Sequence, residues 1–325
     1  MRYLATRLGF YLVALWGSIT INFLLPRLAP GDPAANLVSR VATQLTPAQV
    51  NAIKTVYGLS SASLFSQYTT YLDQLFHGNL GISITYFPTP VAQVISSAVL
   101  WTVLLGTVSL VLSFTIGVSL GIYAGWKRAG RADSVITPLS IFFGAVPYFW
   151  LAMAALYVFG LRLGWFPISH AYGSDSSPSA SWNFVGDVAI HTILPAATIV
   201  FVSIGGWLIL MRSTMISVLS EDYITMATAK GLHPLRIALS YGARNALLPV
   251  TTAAGISVGF IVSGALLTEI VFSYPGLGFL LYNSVEEVDY PLIQGLLLII
   301  TVCVLAANFL VDLLYVLLDP TVRRP

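Results

Sequence analysis

Long apolar stretches alternate with shorter polar ones along the whole chain. Each apolar stretch is long enough for a helix to cross the hydrocarbon core of a bilayer, which takes about 20 residues. Because no water is available there to bond the backbone, such stretches must be helical. The pattern therefore predicts an all-α membrane protein with six transmembrane helices, over residues 8–28, 101–125, 136–160, 190–211, 247–270 and 292–318.

The polar stretch over residues 29–100 is too long for a simple turn between the first two membrane helices. A first helix is predicted over TPAQVNAIKTVYG, with Thr46 as its N-cap, Pro47 at its first position and Gly58 after its end. A second is predicted over SLFSQYTTYLDQLFHG and ends at Gly78. Its apolar face consists of Leu64, Tyr68, Tyr71, Leu72 and Leu75. We expect a small external helical subdomain that rests on the membrane domain.

The composition excludes a soluble globular protein. Hydrophobic residues make up 57% of the chain and charged residues 9%, and the mean hydropathy is +0.83. A soluble domain carries about 25% charged residues. The chain has too little polar surface to cover a globule in water, so the bilayer must be its solvent.

The sequence offers little chemistry of its own. The single cysteine, Cys303, lies in an apolar run, so no disulfide within the chain is possible. The histidines are scattered without metal-ligand spacing, and no Ser/His/Asp order or pair of carboxylates stands out. We therefore expect no catalytic residue, no metal site and no nucleic-acid binding. Because no glycine precedes a lysine anywhere, the phosphate loop of ATP-binding proteins is absent as well.

Basic residues predict the orientation in the membrane. With the N-terminus inside, eleven of the fifteen Lys and Arg residues lie in predicted cytoplasmic pieces and four lie outside. Both termini are therefore expected in the cytoplasm, and the cluster Lys127, Arg128 and Arg131 is able to contact anionic lipid. The predicted organisation begins with a first transmembrane helix over 1–28 and an external subdomain over 29–100. A five-helix core with a cytoplasmic loop at 212–246 follows over 101–318, and a cytoplasmic tail over 319–325.

A polar hairpin of two short helices is predicted over residues 220–249, between two membrane helices. Ser220 is expected to cap the first helix, and Glu221 and Asp222 in the first turn complement its dipole. Lys230 is favoured in the last turn, and Gly231 supplies the left-handed residue that ends such a helix.

The second helix of the hairpin is predicted to begin at His233-Pro234, to run roughly to residue 246 and to end before Pro249. Ala227, Ala229 and Gly231 leave the turn sterically lean, which favours docking into a groove on a partner protein. The alternative is a solvated linker that lies on the lipid headgroups. A polar hairpin between membrane helices is a place where a soluble partner could push, which points to a transport machine driven by another protein.

Several motifs occur in order over nearly the whole chain. They are LAPGDP at 28–33, LTPAQV and YGL, HGNLGIS at 77–83, PV at 90–91, TMATAKGL and ALLP in the hairpin, TEIVFSYPGLG at 268–278, DYP at 289–291, and NFLVDLLYVLLDP at 308–320. With these motifs the chain resembles the permeases of ATP-binding-cassette importers, and among them the dipeptide, oligopeptide and nickel group. It is most similar to the first of the two permeases of an oligopeptide importer.

The chain departs from the pattern of this family at several positions. The general form of the cytoplasmic loop opens Glu-Ala-Ala, whereas this chain has Thr225, Met226 and Ala227. Asn79 stands where an acidic residue is usual, and Val288 stands where an arginine usually precedes Asp289. The last two departures bear on any ion pair in the outer loop.

The resemblance implies the type I importer permease fold and a division of labour between subunits. The chain is expected to pair with a second, homologous permease, to receive substrate from an external binding protein and to rest on two ATPase subunits or domains. Those ATPases would hold ATP and magnesium, so no cofactor is expected in this chain. The resemblance also places the contact with the ATPases at Glu221, Asp222, Ala227, Ala229, Lys230, Gly231 and Leu232. Peptides are the expected cargo, with nickel or glutathione as alternatives.

A few polar residues in or near the predicted spans are candidates for the pathway or its gate. Glu269 precedes the helix-breaking run Tyr274-Pro275-Gly276, which is suited to re-enter the pore or to form an outer gate. The alternative for Glu269 is an interfacial acid that caps or pairs locally. Asn308 and Asp312 share one helix face because they are four residues apart.

We expect Asp312 to face protein, with Arg244 or Arg212 as its partner, and a structural role is favoured over a lining role. Asn22 is expected to bond a neighbouring helix.

Two other classes of function fit less well. A self-contained secondary transporter would show inverted repeats and ionisable groups at the midplane of the membrane, and the predicted spans hold almost none. A membrane enzyme would cluster catalytic polar residues, and this chain does not.

Overall fold

The computed structural model of the protein describes residues 2–28, 63–259, 261 and 265–318. Within these residues the regular structure is helical, apart from one isolated β-bridge between Ile82 and Pro90. The helices are α1 (Arg2–Leu28), α2 (Leu64–Phe76), α3 (Val91–Trp126), α4 (Arg131–Gly144), α5 (Tyr148–Ala155), α6 (Trp182–Leu219), α7 (Asp222–Ala229), α8 (Pro234–Arg236), α9 (Arg244–Gly259), α10 (Leu266–Val271), α11 (Leu277–Glu286) and α12 (Tyr290–Leu318). Two π-helical segments continue α5 and α8, over Leu156–Arg162 and Ile237–Ala243.

Four of the described helices are long and apolar enough to cross a membrane: Arg7–Leu25, Val91–Trp126, Trp182–Leu219 and Tyr290–Leu310. A fifth crossing results if Asp133–Gly144 and Tyr148–Arg162, which are bent by 92°, form one broken span. These findings confirm the all-helical membrane class. The predicted span over 247–270 lies partly outside the described residues, and its described part belongs mostly to α9.

The boundaries of several helices differ from those of the predicted spans. The helix predicted from residue 101 already begins at Val91, and the one predicted over 190–211 runs from Trp182 to Leu219. The span predicted over 136–160 is broken, since α4 ends at Gly144 and Pro147 caps the start of α5. Because proline has no N–H, Pro147 is unable to continue the hydrogen bonds of the preceding helix.

The described residues fall into two compact units. One comprises Met1–Thr102 and Pro275–Phe309, and the other comprises Val103–Tyr274 and Leu310–Pro325.

In the first unit, α2 is the second of the two helices predicted between the first two membrane spans. Ser63 caps it, its side chain accepting from the Ser66 N–H at 3.3 Å, and Gly78 follows its end with a φ of +72°. The Thr20 and Tyr68 hydroxyls lie 2.8 Å apart and link α1 to α2. The first predicted external helix, over 46–58, lies outside the described residues.

The same unit joins α1 to α12. The Gln294 side chain donates to the backbone carbonyl of Asn22 at 3.3 Å. The bond that Asn22 makes to a neighbouring helix is therefore through its backbone, and the buried Asn22 amide nitrogen has no hydrogen-bond partner among the described residues.

In the second unit, α6 packs closely against both α3 and α4. Gly117, Gly121 and Gly125 recur every fourth residue on α3, and a Cβ at any of them would lie within 2.9 Å of α6 atoms. On the side of α4, a Cβ at Gly205 would lie 2.5 Å from the Ser140 carbonyl oxygen. Small residues of this kind let helix backbones approach closely in a membrane. Helices α3, α4 and α6 therefore form one closely packed block.

Candidate functional site

The first helix of the hairpin is α7 (Asp222–Ala229), and Ser220 and Glu221 separate it from the end of α6. The residue at the N-cap is Glu221, so the prediction that Ser220 caps this helix is wrong. Because α6 extends to Leu219, Ser220 serves as the C-cap of α6, and its hydroxyl donates to the Ser217 carbonyl at 2.6 Å. Glu221 and Asp222 are both exposed at the start of α7.

The turn between the two hairpin helices closes as predicted. Lys230 is the C-cap of α7, and Gly231 follows with a φ of +71°. The Gly231 N–H donates to the Thr228 carbonyl at 2.9 Å, and the Leu232 N–H donates to the Ala227 carbonyl at 3.3 Å. These two bonds form a Schellman motif, which satisfies the last carbonyls of α7 and fixes the direction of the chain.

The second arm of the hairpin starts at the predicted residues but does not end at the predicted one. His233 is the N-cap and accepts from the Leu235 N–H through Nδ1 at 3.3 Å, with Pro234 at the first helical position. The arm then runs through the π segment into α9 and past Pro249 to Gly259. The end predicted before Pro249 is wrong because a proline removes one hydrogen bond from a membrane helix without forcing it to stop.

Apolar packing holds the hairpin in one shape. Ile224, Ala227 and Ile237 are buried together, and the partly buried side chains packed on them belong to Trp126, Leu219, Leu232 and Tyr241. The Asn245 amide donates to the Tyr223 hydroxyl at 2.9 Å and ties the two arms together. Ala227 therefore packs inward at 3% exposure, whereas Ala229, Lys230 and Gly231 are exposed.

The outward side of the hairpin combines polar residues with large apolar ones. Met226, Leu235 and Leu239 are each more than half exposed. Exposed apolar side chains on a folded, polar hairpin are typical of a surface that a protein partner covers. The sequence had singled out the lean turn but not these three residues, because their exposure depends on which face packs inward.

An ion pair lies at the end of α6 that leads into the hairpin. The Arg212 guanidinium donates to both carboxylate oxygens of Asp133, at 2.6 and 2.8 Å. Asp133 also accepts from the Ala129 N–H at 3.0 Å and from the Thr137 hydroxyl at 2.8 Å. Arg212 therefore has Asp133 as a partner, and the expected pairing of Asp312 with Arg244 or Arg212 stays a prediction. The Asp312 side chain lies outside the described part of the chain.

The candidate gate residues are divided between the two units. Glu269 and Tyr274 are fully buried in the second unit. The Tyr274 hydroxyl lies 3.1 Å from the Thr192 hydroxyl, which in turn donates to the Val188 carbonyl of α6.

The predicted helix break after Glu269 is present. Helix α10 ends at Val271, Ser273 has a φ of +45°, and α11 begins at Leu277. Pro275, Gly276 and Asn308 belong to the first unit, where Asn308 is partly buried in α12.

In the first unit, Asp289 organises the segment before α12 without the arginine that usually precedes it. It is fully buried and accepts from the Ser83 hydroxyl, from the Thr85 N–H at 2.9 Å and from the Leu292 N–H at 3.2 Å. Asn79 instead bonds locally, accepting from the Gly81 N–H at 2.9 Å. The described hydrogen-bond donors to Asp289 are thus neutral groups. Among the described residues, no group of three or more His, Cys, Asp or Glu side chains is placed to hold a metal ion.

Comparisons with known proteins agree in pointing to one family. The family described as the binding-protein-dependent transport system inner membrane component matches residues 117–324. The chain is 35% identical over 301 residues to a probable peptide ABC transporter permease protein of Sinorhizobium fredii, which covers 93% of this chain and 92% of that protein. It is 32% identical to a di/tripeptide transport system permease protein of Pseudomonas aeruginosa, over 100% of this chain and 99% of that protein. It is also 32% identical to an oligopeptide transport system permease protein of Bacillus subtilis, over 99% of both chains.

Proposed function

Because the chain belongs to the family of binding-protein-dependent transport system inner membrane components, we propose that it is the permease subunit of an ATP-driven importer of dipeptides or oligopeptides. It is a transport subunit of the membrane and not an enzyme. The peptide cargo is supported by relatives that match over their full length and carry peptide transport in their names.

The proposed assembly has a second homologous permease beside this chain, two ATPase subunits or domains beneath it and an external substrate-binding protein above it. Six transmembrane helices of the type I permease fold, with both termini in the cytoplasm, place the hairpin on the side of the ATPases. The basic residues support this orientation. The external subdomain over 29–100 then faces the binding protein, and membrane lipid surrounds the rest.

The observation that carries the proposal is the construction of the hairpin. A Schellman turn, a buried apolar face and the bond between Tyr223 and Asn245 give it a fixed shape, while Met226 and Leu235 stay exposed. Since the chain has no phosphate loop, ATP and magnesium would be bound by the partner ATPases. The coupling surface would consist of Glu221, Asp222, Ala229, Lys230, Gly231 and Leu232, with Ala227 supporting it from within.

In this mechanism, closure of the ATPases moves the hairpin, and the helices that pack on α6 move with it. The substrate pathway then opens alternately to each side of the membrane. Glu269, Tyr274, Pro275, Gly276, Asn308 and Asp312 remain the candidates for its lining or its gate.

Co-purification and coupled hydrolysis test the proposal. The tagged chain, extracted in mild detergent, should bring with it a second permease and the ATPase subunits. The purified complex in liposomes, supplied with its binding protein, should hydrolyse ATP faster when a short peptide is added and should accumulate that peptide. Nickel and glutathione serve as the alternative cargoes in the same assay. Uptake by the lone subunit without ATP would instead support a secondary transporter and overturn the proposal.

A further inference from the structure

A cleft of about 370 Å³ lies within the first unit. Its walls come from the start of α3, from the turn before α3 and from α11. The volume lies in the range of small-molecule sites, about 300 to 1,000 Å³. Pro275 and Gly276, two of the candidates for the pathway or its gate, line this cleft.

Buried hydrogen bonds hold the walls of the cleft in place. On α3, the buried Thr102 hydroxyl accepts from the Leu277 N–H at the start of α11, at 2.7 Å. The turn before α3 is held by Asp289, through the Ser83 hydroxyl and the Thr85 N–H. Both anchors are buried, so the cleft is preformed, which lowers the entropic cost of binding a ligand.

The polar groups in the cleft are uncharged and available. Gln93 on α3 and Asn283 on α11 both line it, and each carboxamide offers donors and an acceptor. Within the described part of the chain, neither carboxamide is hydrogen-bonded to another protein group. Thr89 and Tyr86 add hydroxyl groups, and burial, followed by Asp289 and Glu287, raises the pKa of Tyr86. The Tyr86 hydroxyl therefore stays protonated and able to donate near neutral pH.

Two acidic residues follow the cleft lining along α11. None of the described residues that line it is charged. Glu286 stands exposed at the end of α11, and Glu287, its C-cap, is half-buried; both lie one turn beyond Asn283. Neutral donor and acceptor pairs complement the peptide groups of an extended chain, and the carboxylates favour a cation close by.

We propose that this cleft is a binding site for short peptide cargo, in which Gln93 and Asn283 bond the peptide groups and Glu286 and Glu287 attract the free amino terminus. The inference rests on the proposed function and names a site for its substrate. The small volume favours cargo over a docked protein, because a stable protein interface covers about 800 Å² on each partner. With the orientation proposed above, the cleft lies on the external side, where a released peptide would arrive.

Transport kinetics of the whole complex in liposomes test the site. Gln93→Met and Asn283→Leu keep the approximate shape of the side chains and remove their hydrogen bonds. We expect the KM for tri-alanine uptake to rise about tenfold in the double variant, since each lost hydrogen bond contributes about 0.5–1.5 kcal/mol. The maximal rate should change less than twofold. Ser96→Ala and Tyr282→Phe, on the same two helices but not in the cleft lining, should leave the KM unchanged.

A labelling experiment observes occupancy directly. Ser97→Cys, in a Cys303→Ser background, places a single thiol in the cleft. Tri-alanine should slow its reaction with a maleimide, and N-acetylated tri-alanine should do so less, because it lacks the amino-terminal charge. Wild-type KM values together with no protection would overturn the site. Protection by the binding protein without peptide would also overturn it, by making the cleft a docking surface. A wild-type complex that fails to transport tri-alanine would contradict the proposed function, whereas the labelling result would still decide the site.

Discussion

At the scale of single residues, Gly231 has the clearest reason for its identity. Its φ of +71° is one that other residues adopt only with strain, and a side chain added there would meet no atom within 4 Å. Substitution would therefore cost about 1–2 kcal/mol of backbone strain without a clash inside this chain. Any larger functional effect would come from a partner that approaches the turn.

Gly164 provides the matched control for this glycine. It also has a positive φ, +65°, and open space around it, but it lies in the segment that follows the π helix after α5. We expect Gly231→Leu to lower the amount of peptide transported per ATP hydrolysed by about tenfold, equivalent to 1.4 kcal/mol of lost coupling. Gly164→Leu should lose only thermal stability. Equal coupling in the two variants, measured in liposomes, would show that the turn does not meet the ATPase.

Asp133 and Arg212 form a second residue-scale feature with a measurable energy. Asp133 is 5% exposed, so removing one partner leaves a poorly hydrated charge behind. We expect Asp133→Asn to destabilise the purified complex by about 3 kcal/mol, while Asp133→Leu with Arg212→Met recovers most of the loss. Thermal unfolding of the wild type, Asp133→Leu, Arg212→Met and the double variant gives the coupling energy. Additive losses would mean that the pair contributes nothing beyond its separate contacts.

These residues also show what sequence does and does not reveal. Gly231, His233 and Pro234 were predicted correctly because caps and turns depend on neighbours within a few positions. The partner of Arg212 was not predicted, since Asp133 lies 79 residues away and only the packing of α4 on α6 brings them together. The inward position of Ala227 was hidden for the same reason.

At the scale of elements, α6 is the structural link between the hairpin and the helices around it. Two residues separate its end from the start of α7. Glycines on α3 let that helix approach α6 closely, and Gly205 of α6 itself does the same for α4. Such close contact leaves little room for one helix to slide past another without a clash. A displacement of the hairpin should therefore move these three helices together.

Gly121 tests this rigidity. A Cβ at this position would lie 2.7 Å from the Leu208 carbonyl oxygen and from the Met211 Cβ. We expect Gly121→Ala to cost about 1–3 kcal/mol through overpacking. Gly206→Ala, on α6 with no atom within 4 Å, should instead be neutral or raise stability by up to about 1 kcal/mol, since alanine favours helix. Melting temperatures of the two complexes check the difference in sign, and equal shifts would contradict tight packing.

The membrane helices themselves were predicted by hydropathy, but the break of the third span and the continuation of α9 through Pro249 were not. Periodicity and length found the apolar core of α3, α6 and α12, because the bilayer sets the number of apolar residues. The 92° bend after Gly144 and the continuation of α9 through Pro249 depend on how neighbouring helices satisfy freed backbone groups. How neighbouring helices do this cannot be read from the local sequence. The span over 136–160 was predicted as continuous although it contains Pro147, and the second hairpin helix was predicted to end before Pro249. Both predictions were wrong.

At the scale of the whole molecule, the path of the chain through the membrane decides whether the hairpin and the cleft lie on opposite sides. Between them runs α9, whose described part has 16 residues. A helix of that length rises about 24 Å, at 1.5 Å per residue, whereas the hydrocarbon core is about 30 Å thick. The crossing therefore requires the residues up to 270 as well, as the six-helix prediction assumes.

Two single-cysteine variants test this crossing. Ser240→Cys lies in the second arm of the hairpin, and Glu286→Cys lies at the end of α11; both positions are exposed, and Cys303→Ser removes the native thiol. In intact cells, a maleimide that does not cross membranes should label position 286 at once and position 240 only after permeabilisation. Labelling of both positions from the same side would mean that the chain does not cross the membrane between them, so that the span predicted over 247–270 is absent. Labelling of position 240 alone from outside would turn the hairpin away from the cytoplasm, where no ATPase could reach it. Because the coupling surface and the peptide cleft each depend on their side of the membrane, this measurement constrains both proposals at once.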